Sequence, residues 1–247
     1  MGRMFIGFGT VANMVTVAVG ALLGLFLGNR MPERTRSTVT DVLGLVTIVL
    51  GVQSALTVAS AALTAEVGSG GVLIMLGALL LGALTGSALR IEDRLESGAE
   101  WLRRRFAGTG EAGTFVDAVV TPTLLFCVGP LTILGSLSDG LGRGADQLLV
   151  KSVLDGFAAM AFASTLGWGV LFSAGAVGLV QGSLTLAGYL FGNLFTAGQI
   201  DALSATGGVI LIALGLRLLR VRQIPVGDLL PALVFAPLIV SAVSAFR

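Results

Sequence analysis

The chain has 247 residues, of which 55% are hydrophobic and only 12% charged, with a mean hydropathy of +0.96 and a net charge of +1. Soluble domains carry about 25% charge, so a water-soluble fold of this length lacks the polar surface it would need, and no basic, aromatic-interleaved patch points to nucleic acid as a partner. Cys127 is the single cysteine and histidine is absent, which removes an intrachain disulfide, a CxxC metal site, the commonest metal ligand and the commonest general base.

Runs of about 20 apolar residues can each cross a ~30 Å hydrocarbon core as a helix, and they divide the chain in order. The first span covers about residues 8–28. Thr10, Asn13 and Thr16 recur every three residues near its start and define one polar face, and Gly20, Gly24 and Gly28 follow in small-xxx-small spacing. Such a ladder predicts a close helix contact, within the chain or between copies in a homo-oligomer joined through glycine-rich faces. The span reads as a retained helix, although it could be mistaken for a signal peptide: Arg3 alone precedes it, and Asn29-Arg30-Met31-Pro32-Glu33-Arg34 follows where a small-residue cleavage site would stand. Arg30, Arg34 and Arg36 place its C-terminal end in the cytoplasm and its N-terminus outside.

The second span, about 39–63, contains Gln53 and Thr57, and the third covers about 71–89. Between them, residues 64–70 carry no basic side chain and suit an external turn. Residues 90–107 interleave Arg94 and Arg103 to Arg105 with Glu92, Asp93, Glu96 and Glu100, while Ile91, Leu95, Trp101 and Leu102 give a partly amphipathic pattern. This segment belongs on the cytoplasmic surface, as a solvated connector or as a contact for anionic lipid.

A Gly/Thr-rich stretch, residues 108–114, ends the first section (1–114). Span four, about 115–137, is interrupted by Pro122 and by Gly129-Pro130, and residues 138–146 form a mixed-charge outer loop, so 115–147 makes a second section. The third section, 148–247, holds spans five (about 148–166, with Lys151 and Asp155), six (167–188, with Gln181 and Thr185), seven (202–219, closing on Arg217, Arg220 and Arg222) and eight (226–245, with Pro231 and Pro237). Eight spans put all three arginine clusters on one side. Removing one between 148 and 190 would put the last cluster outside. The expected fold is therefore all-α, a polytopic membrane bundle of about eight spans.

Residues 52–59 and 180–187 are alike: five of their eight positions are identical, including Gln53/Gln181 and Thr57/Thr185. Further matches pair Gly70-Gly71-Val72-Leu73-Ile74 with Gly207-Gly208-Val209-Ile210-Leu211, and Pro122 to Pro130 with Pro231 to Pro237, preceded by Asp117 and Asp228. Three ordered matches suggest a duplicated four-helix unit. Spans two and six are four apart and point the same way, so the repeat is parallel, 4+4, with its axis along the membrane normal.

Several polar residues are candidates for a solute or ion pathway. Gln53 and Gln181 could line it or could simply hydrogen-bond between helices at about 1 kcal/mol. Pro122, Pro130, Pro231 and Pro237 free backbone carbonyls, which at membrane depth need protein or a water-filled cavity beside them; they could equally be simple kinks. Lys151 is the sole lysine beside fourteen arginines, and Asp155 lies four residues on, on the same helix face. The pair could sit at the outer interface with Lys151 snorkelling to water, or Asp155 could titrate or bind a cation in a pathway. Asn13, Thr57 and Thr185 complete the candidate set. Motifs for an enzyme are missing: there is no HExxH, no G-x-S-x-G and no Walker loop, so no catalytic residue, metal site or cofactor is expected.

The opening Gly9-Thr10-Val11-Ala12-Asn13 with Gly20 and Gly24, the segment from Phe126 to Ser136, Lys151-Ser152-Val153-Leu154-Asp155-Gly156, Gln181-Gly182 and Leu230-Pro231-Ala232-Leu233 together resemble the YdfK/YqgA-like group of multi-spanning bacterial membrane proteins, over essentially the whole chain. The resemblance implies a domain of unknown function in the bacterial inner membrane and carries over no substrate and no catalytic residue. The reading the residues support is a transporter or channel for a small solute or ion between two repeats, lined by Gln53, Gln181 and the proline-broken helices. The alternative is a non-transporting scaffold or accessory subunit, in which the glutamines hold the bundle together and the Arg103 to Arg105 segment contacts a partner or anionic lipid; in either reading the lipid bilayer is a partner.

Overall fold

The computed structural model describes residues 5–28, 32–106, 112–127, 130–142, 144–191 and 195–246. Arg30, Gly129, Arg143 and residues 108–111 of the Gly/Thr-rich connector lie outside them. Among the described residues all regular structure is helical: α1 (Phe8–Gly28), α2 (Glu33–Ala55), α3 (Ala61–Val67), α4 (Gly71–Leu89), α5 (Ile91–Phe106), α6 (Ala112–Cys127), α7 (Pro130–Gly140), α8 (Asp146–Leu166), α9 (Leu171–Phe191), α10 (Ala197–Leu218) and α11 (Ala232–Ala245). Among the described residues seven helical runs are long and apolar enough to cross a bilayer; α6 and α7, whose axes differ by 74°, make an eighth if the bent pair is one span. The expected all-α polytopic bundle is what forms, and α1 and α4 coincide with the first and third predicted spans.

Where boundaries shift, a cap is the cause. The second span ends at residue 59, because α2 tightens into a 3-10 turn over Leu56–Ala59 and Ser60 then caps α3, its Oγ accepting from the Leu63 N–H at 3.1 Å. Residues 64–70, expected as a turn, are thus half helix, closing through a 3-10 turn at Gly68–Gly70. Span four is two helices, and α7 continues to Gly140, past the start expected for the outer loop. At the seventh span the Thr196 hydroxyl accepts from the Gln199 N–H and the Gln199 side chain accepts from the Thr196 N–H, a capping box that starts α10 at Ala197 rather than at 202.

The prolines matched between spans four and eight do different jobs. Pro122 lies inside α6 while its counterpart Pro231 caps α11; Pro130 opens α7 while its counterpart Pro237 lies inside an unbroken α11. Symmetric helix breaks therefore do not form. Ala236, a good helix former buried in a core with Ile74 and Ala78 of α4, carries the helix up to Pro237, and at the matched place in span four stands Gly129.

The chain gathers into two compact units, residues 1–43 with 96–194 and residues 44–95 with 195–247. Each draws spans from both halves of the sequence.

In the first unit α1 and α8 run parallel with backbones in contact. A Cβ built on Gly20, Gly24 or Gly28 would overlap the carbonyl oxygen of Gly156, Met160 or Ser164, a constant offset (156−20, 160−24 and 164−28) that only a side-chain-free stripe allows. The ladder noted in the sequence is thus spent inside the chain. Helix α9 packs antiparallel on α1: the Thr10 and Thr185 hydroxyls meet at 3.3 Å, and Met14 lies over Gly178. From α7, the Asp139 carboxylate accepts from the Gly7 and Gly9 N–H groups at 3.2 and 3.1 Å and caps α1.

The second unit is built around α10, which is buried along most of its length. Gly44 and Gly51 of α2 lie against Gly215 and Gly208 of α10. Gly82 and Gly86 of α4 lie under Ala232 and Asp228, and Leu63, Val67, Ile74, Ala78, Ala202, Ala236 and Val240 form the core.

Candidate functional site

The first unit holds a layer of polar side chains inside its apolar helices. Lys151 and Asp155 stand one turn apart on α8, and Nζ donates to Asp155 Oδ2 at 2.6 Å. From α1, Asn13 Nδ2 donates to the same oxygen at 2.9 Å. Only 6% of Lys151 and 7% of Asp155 is exposed, so the ammonium does not snorkel to water as one expectation had it. It turns back onto Asp155 and lies 6.0 Å from the centre of the Phe126 ring, because a buried ammonium is tolerable only when paired.

The register of α1 against α9 sets the rest of the layer. Thr10 is level with Thr185 and Met14 with Gly178, which puts Asn13 and Gln181 at one depth between those contacts. Gln181 is 0% exposed, and among the described residues neither its Nε2 nor its Oε1 has a hydrogen-bond partner; Asn13 Oδ1 and Ser136 Oγ are likewise buried and unbonded there. Thr16 is satisfied locally, donating to the Ala12 and Asn13 carbonyls at 3.0 Å. An unbonded buried amide costs about 1–3 kcal/mol and is rare enough in native proteins to call for an explanation such as a water or ion. The layer offers an amide donor and two amide acceptors around an ion pair of zero net charge, groups suited to water, a small polar solute or a partly dehydrated ion.

The other candidates divide. Thr185 joins the layer, and Pro122 is buried within α6 of the same unit. Thr57, in the second unit, is structural: its hydroxyl lies 2.7 Å from the Ser54 carbonyl and 2.9 Å from that of Asp201, tying the end of α2 to α10. Gln53 is exposed on α2. The repeated box is thus a continuous α-helix in its second copy and a helix end followed by a 3-10 turn in its first. Ser60, which caps α3, corresponds to Gly188, which packs on the Leu137 backbone; the neighbours decide the conformation. Pro130, Pro231 and Pro237 open or ride within their helices, as described above.

Sequence inspection missed Phe126, whose ring lies beside the Lys151 ammonium, since a phenylalanine is not unusual within span four. It also missed the clasp in the second unit, where Glu92 accepts from Arg217 on Oε1 and from the Gly227 N–H on Oε2 at 2.6 Å. In return the Asp228 carboxylate accepts from the Glu92 N–H at 2.9 Å. Glu66 acts similarly, accepting from the Thr196 hydroxyl at 2.9 Å and the Gly198 N–H at 3.1 Å at the start of α10. These acids are helix caps supplied by tertiary contact.

A family model described as "Protein of unknown function (DUF554)" matches residues 8–241. The chain is 33% identical over 231 residues to "Uncharacterized protein YqgA" of Escherichia coli (strain K12), a match covering 92% of this chain and 94% of that protein. It is 25% identical over 240 residues to "Uncharacterized membrane protein YdfK" of Bacillus subtilis (strain 168), covering 97% and 98% respectively. No solved structure matches the chain.

Proposed function

The chain belongs to the DUF554 family, and from that premise we propose that it is a transporter or channel for a small solute or ion, with its site in the polar layer of the first unit. The observation that carries this reading is Gln181, whose amide is wholly buried in a membrane helix with neither polar atom bonded among the described residues, level with Asn13 Oδ1, which is unbonded among them too. Ionisable groups inside a bundle mark solute and ion paths more often than they stabilise the fold, and Lys151 and Asp155 stand in the same layer. Gln53, exposed on α2, is not assigned to the site. The setting in this reading is a bacterial plasma membrane, with the N-terminus outside, an orientation that the bias of the arginine clusters to one side supports.

The test is flux into proteoliposomes over a panel of monovalent ions and small polar solutes. Wild-type protein is expected to pass at least one of them. Gln181→Leu and Asp155→Asn should cut that flux about tenfold or more while the protein stays folded, on the scale of losing one or two membrane hydrogen bonds at the site. Equal flux from wild type and both variants removes the layer from the mechanism.

A second reading, a non-transporting scaffold, is favoured by a groove of about 320 Å³ along α1 and α8. Its walls, including Val15, Val19, Phe157 and Met160, are almost wholly apolar and suit an acyl chain or another helix. Absence of flux for every solute, with the variants folding like wild type, selects this reading.

A further inference from the structure

Helix α2 has two opposed faces. Gly44, Thr47 and Gly51 are buried, with the two glycines against α10. On the opposite side, by the 3.6-residue period, lie Val42, Val46, Val49 and Gln53, and Leu56 follows at the start of the 3-10 turn, all exposed. Their spacing of four, three, four and three residues is that of a heptad seam, with β-branched residues and one polar amide at core positions. Among the described residues the Gln53 side chain makes no hydrogen bond, although every neighbour on its stripe is apolar. Gln53 lies six residues before Ala59, where this helical span ends, which is about 9–10 Å into the span at the rise of α and 3-10 helices. An amide left facing lipid at that depth is unsatisfied.

We propose that this stripe is the interface of a homodimer, in which Gln53 of each copy pairs with Gln53 of the other across a two-fold axis along the membrane normal. Copies of one chain insert with the same orientation, so equivalent residues sit at equal depth and two α2 helices meet in parallel, in register. A primary amide carries a donor and an acceptor and is complementary to itself in that arrangement. A second copy thus supplies the missing partner at the right height, and one polar core position fixes the register, as it does in soluble two-stranded coils. The glycine ladder of α1 is already occupied by α8 and is not available for this contact.

The test uses the full chain, purified and reconstituted in liposomes at low density, with Cys127→Ser as the background. Single cysteines at Val46, Val49 and Gln53, and at Leu73 and Leu84 on the exposed face of α4 as controls, are oxidised and run on a non-reducing gel. Seam cysteines are expected to give a covalent dimer and the α4 cysteines none, since a disulfide requires Cβ atoms about 4 Å apart. Single-molecule photobleaching of labelled wild type should show two-step traces. Gln53→Leu, an exposed substitution that leaves the fold untouched, should raise the dimer dissociation constant about fivefold or more, the size of one membrane hydrogen bond. Single-step traces throughout, seam cysteines that link no better than the α4 controls, or a Gln53→Leu dimer as tight as wild type would each overturn the proposal. None of these readouts depends on flux, so the dimer and the transport reading stand or fall separately.

Discussion

In the second unit Glu92 uses both carboxylate oxygens, one for Arg217 and one for the Gly227 N–H, and its own N–H is taken up by Asp228. In the first unit Lys151 and Asn13 both converge on Oδ2 of Asp155, and beside them Asn13 Oδ1 and the whole Gln181 amide go unbonded. Both ion pairs are buried and both would be costly to break. The first is a finished clasp that joins the starts of α5 and of the turn before α11 to the end of α10; the second is an open layer. A closed polar network rigidifies and specifies a fold, whereas a partly satisfied one is where a bound species is to be sought. That contrast, more than burial alone, separates structural charge from candidate site.

The largest expected effects come from halving each pair. Asp155→Ala takes the carboxylate from a buried ammonium and should cost about 3–5 kcal/mol, measured by unfolding in bicelles; Glu92→Ala takes the acceptor from the Gly227 N–H and one contact from Arg217 and should cost about 1–3 kcal/mol in the same assay. The contrast sharpens if flux per folded molecule falls only for the Asp155 variant, and breaks if Glu92→Ala lowers it equally. Next come the glycine seams, where the two units are alike: Gly24→Leu and Gly208→Leu each drive a side chain into facing backbone and should cost about 1–3 kcal/mol by thermal unfolding. A loss at one seam only would show that the other can open.

Gln181→Leu should behave with the opposite sign. Because it removes a buried amide with no partner, the folded state is expected to gain about 1–2 kcal/mol in the same assay while flux is lost. A loss of stability instead would mean that the amide is helix glue and that the layer is as closed as the Glu92 clasp. The smallest effect belongs to a cap: Thr196→Ala at the start of α10 should cost about 1 kcal/mol with flux unchanged, which confines the second unit's polar contacts to structure.

Much of the fold was legible in the chain because a bilayer imposes a simple rule. A helix must be about 20 apolar residues long, and α1 and α4 obey it to the residue. Asn13, Lys151, Asp155 and Gln181 were legible as a list, since each is conspicuous in an apolar run. Their assembly was not: Asn13 and Asp155 are 142 positions apart, and nothing local pairs them. The likeness of the two glutamine boxes misled where it implied like structure, because Thr57 and Ser60 close one box into a helix end while Thr185 and Gly188 continue the other.

The sequence by itself determined the class, the approximate number of membrane spans, the bounds of α1 and α4, the polar face of α1 and the glycine stripe that permits close packing. These follow from hydropathy and period, which are properties of each segment alone. Tertiary structure decided that the stripe on α1 meets α8, that Lys151 turns inward and that Gln181 is buried while Gln53 is exposed. It also decided that Glu66, Glu92, Asp139 and Asp228 serve as caps for distant helices. The physical reason is that backbone groups at helix ends and buried charges must find partners wherever the packing brings them, and sequence separation places no limit on which partner that is.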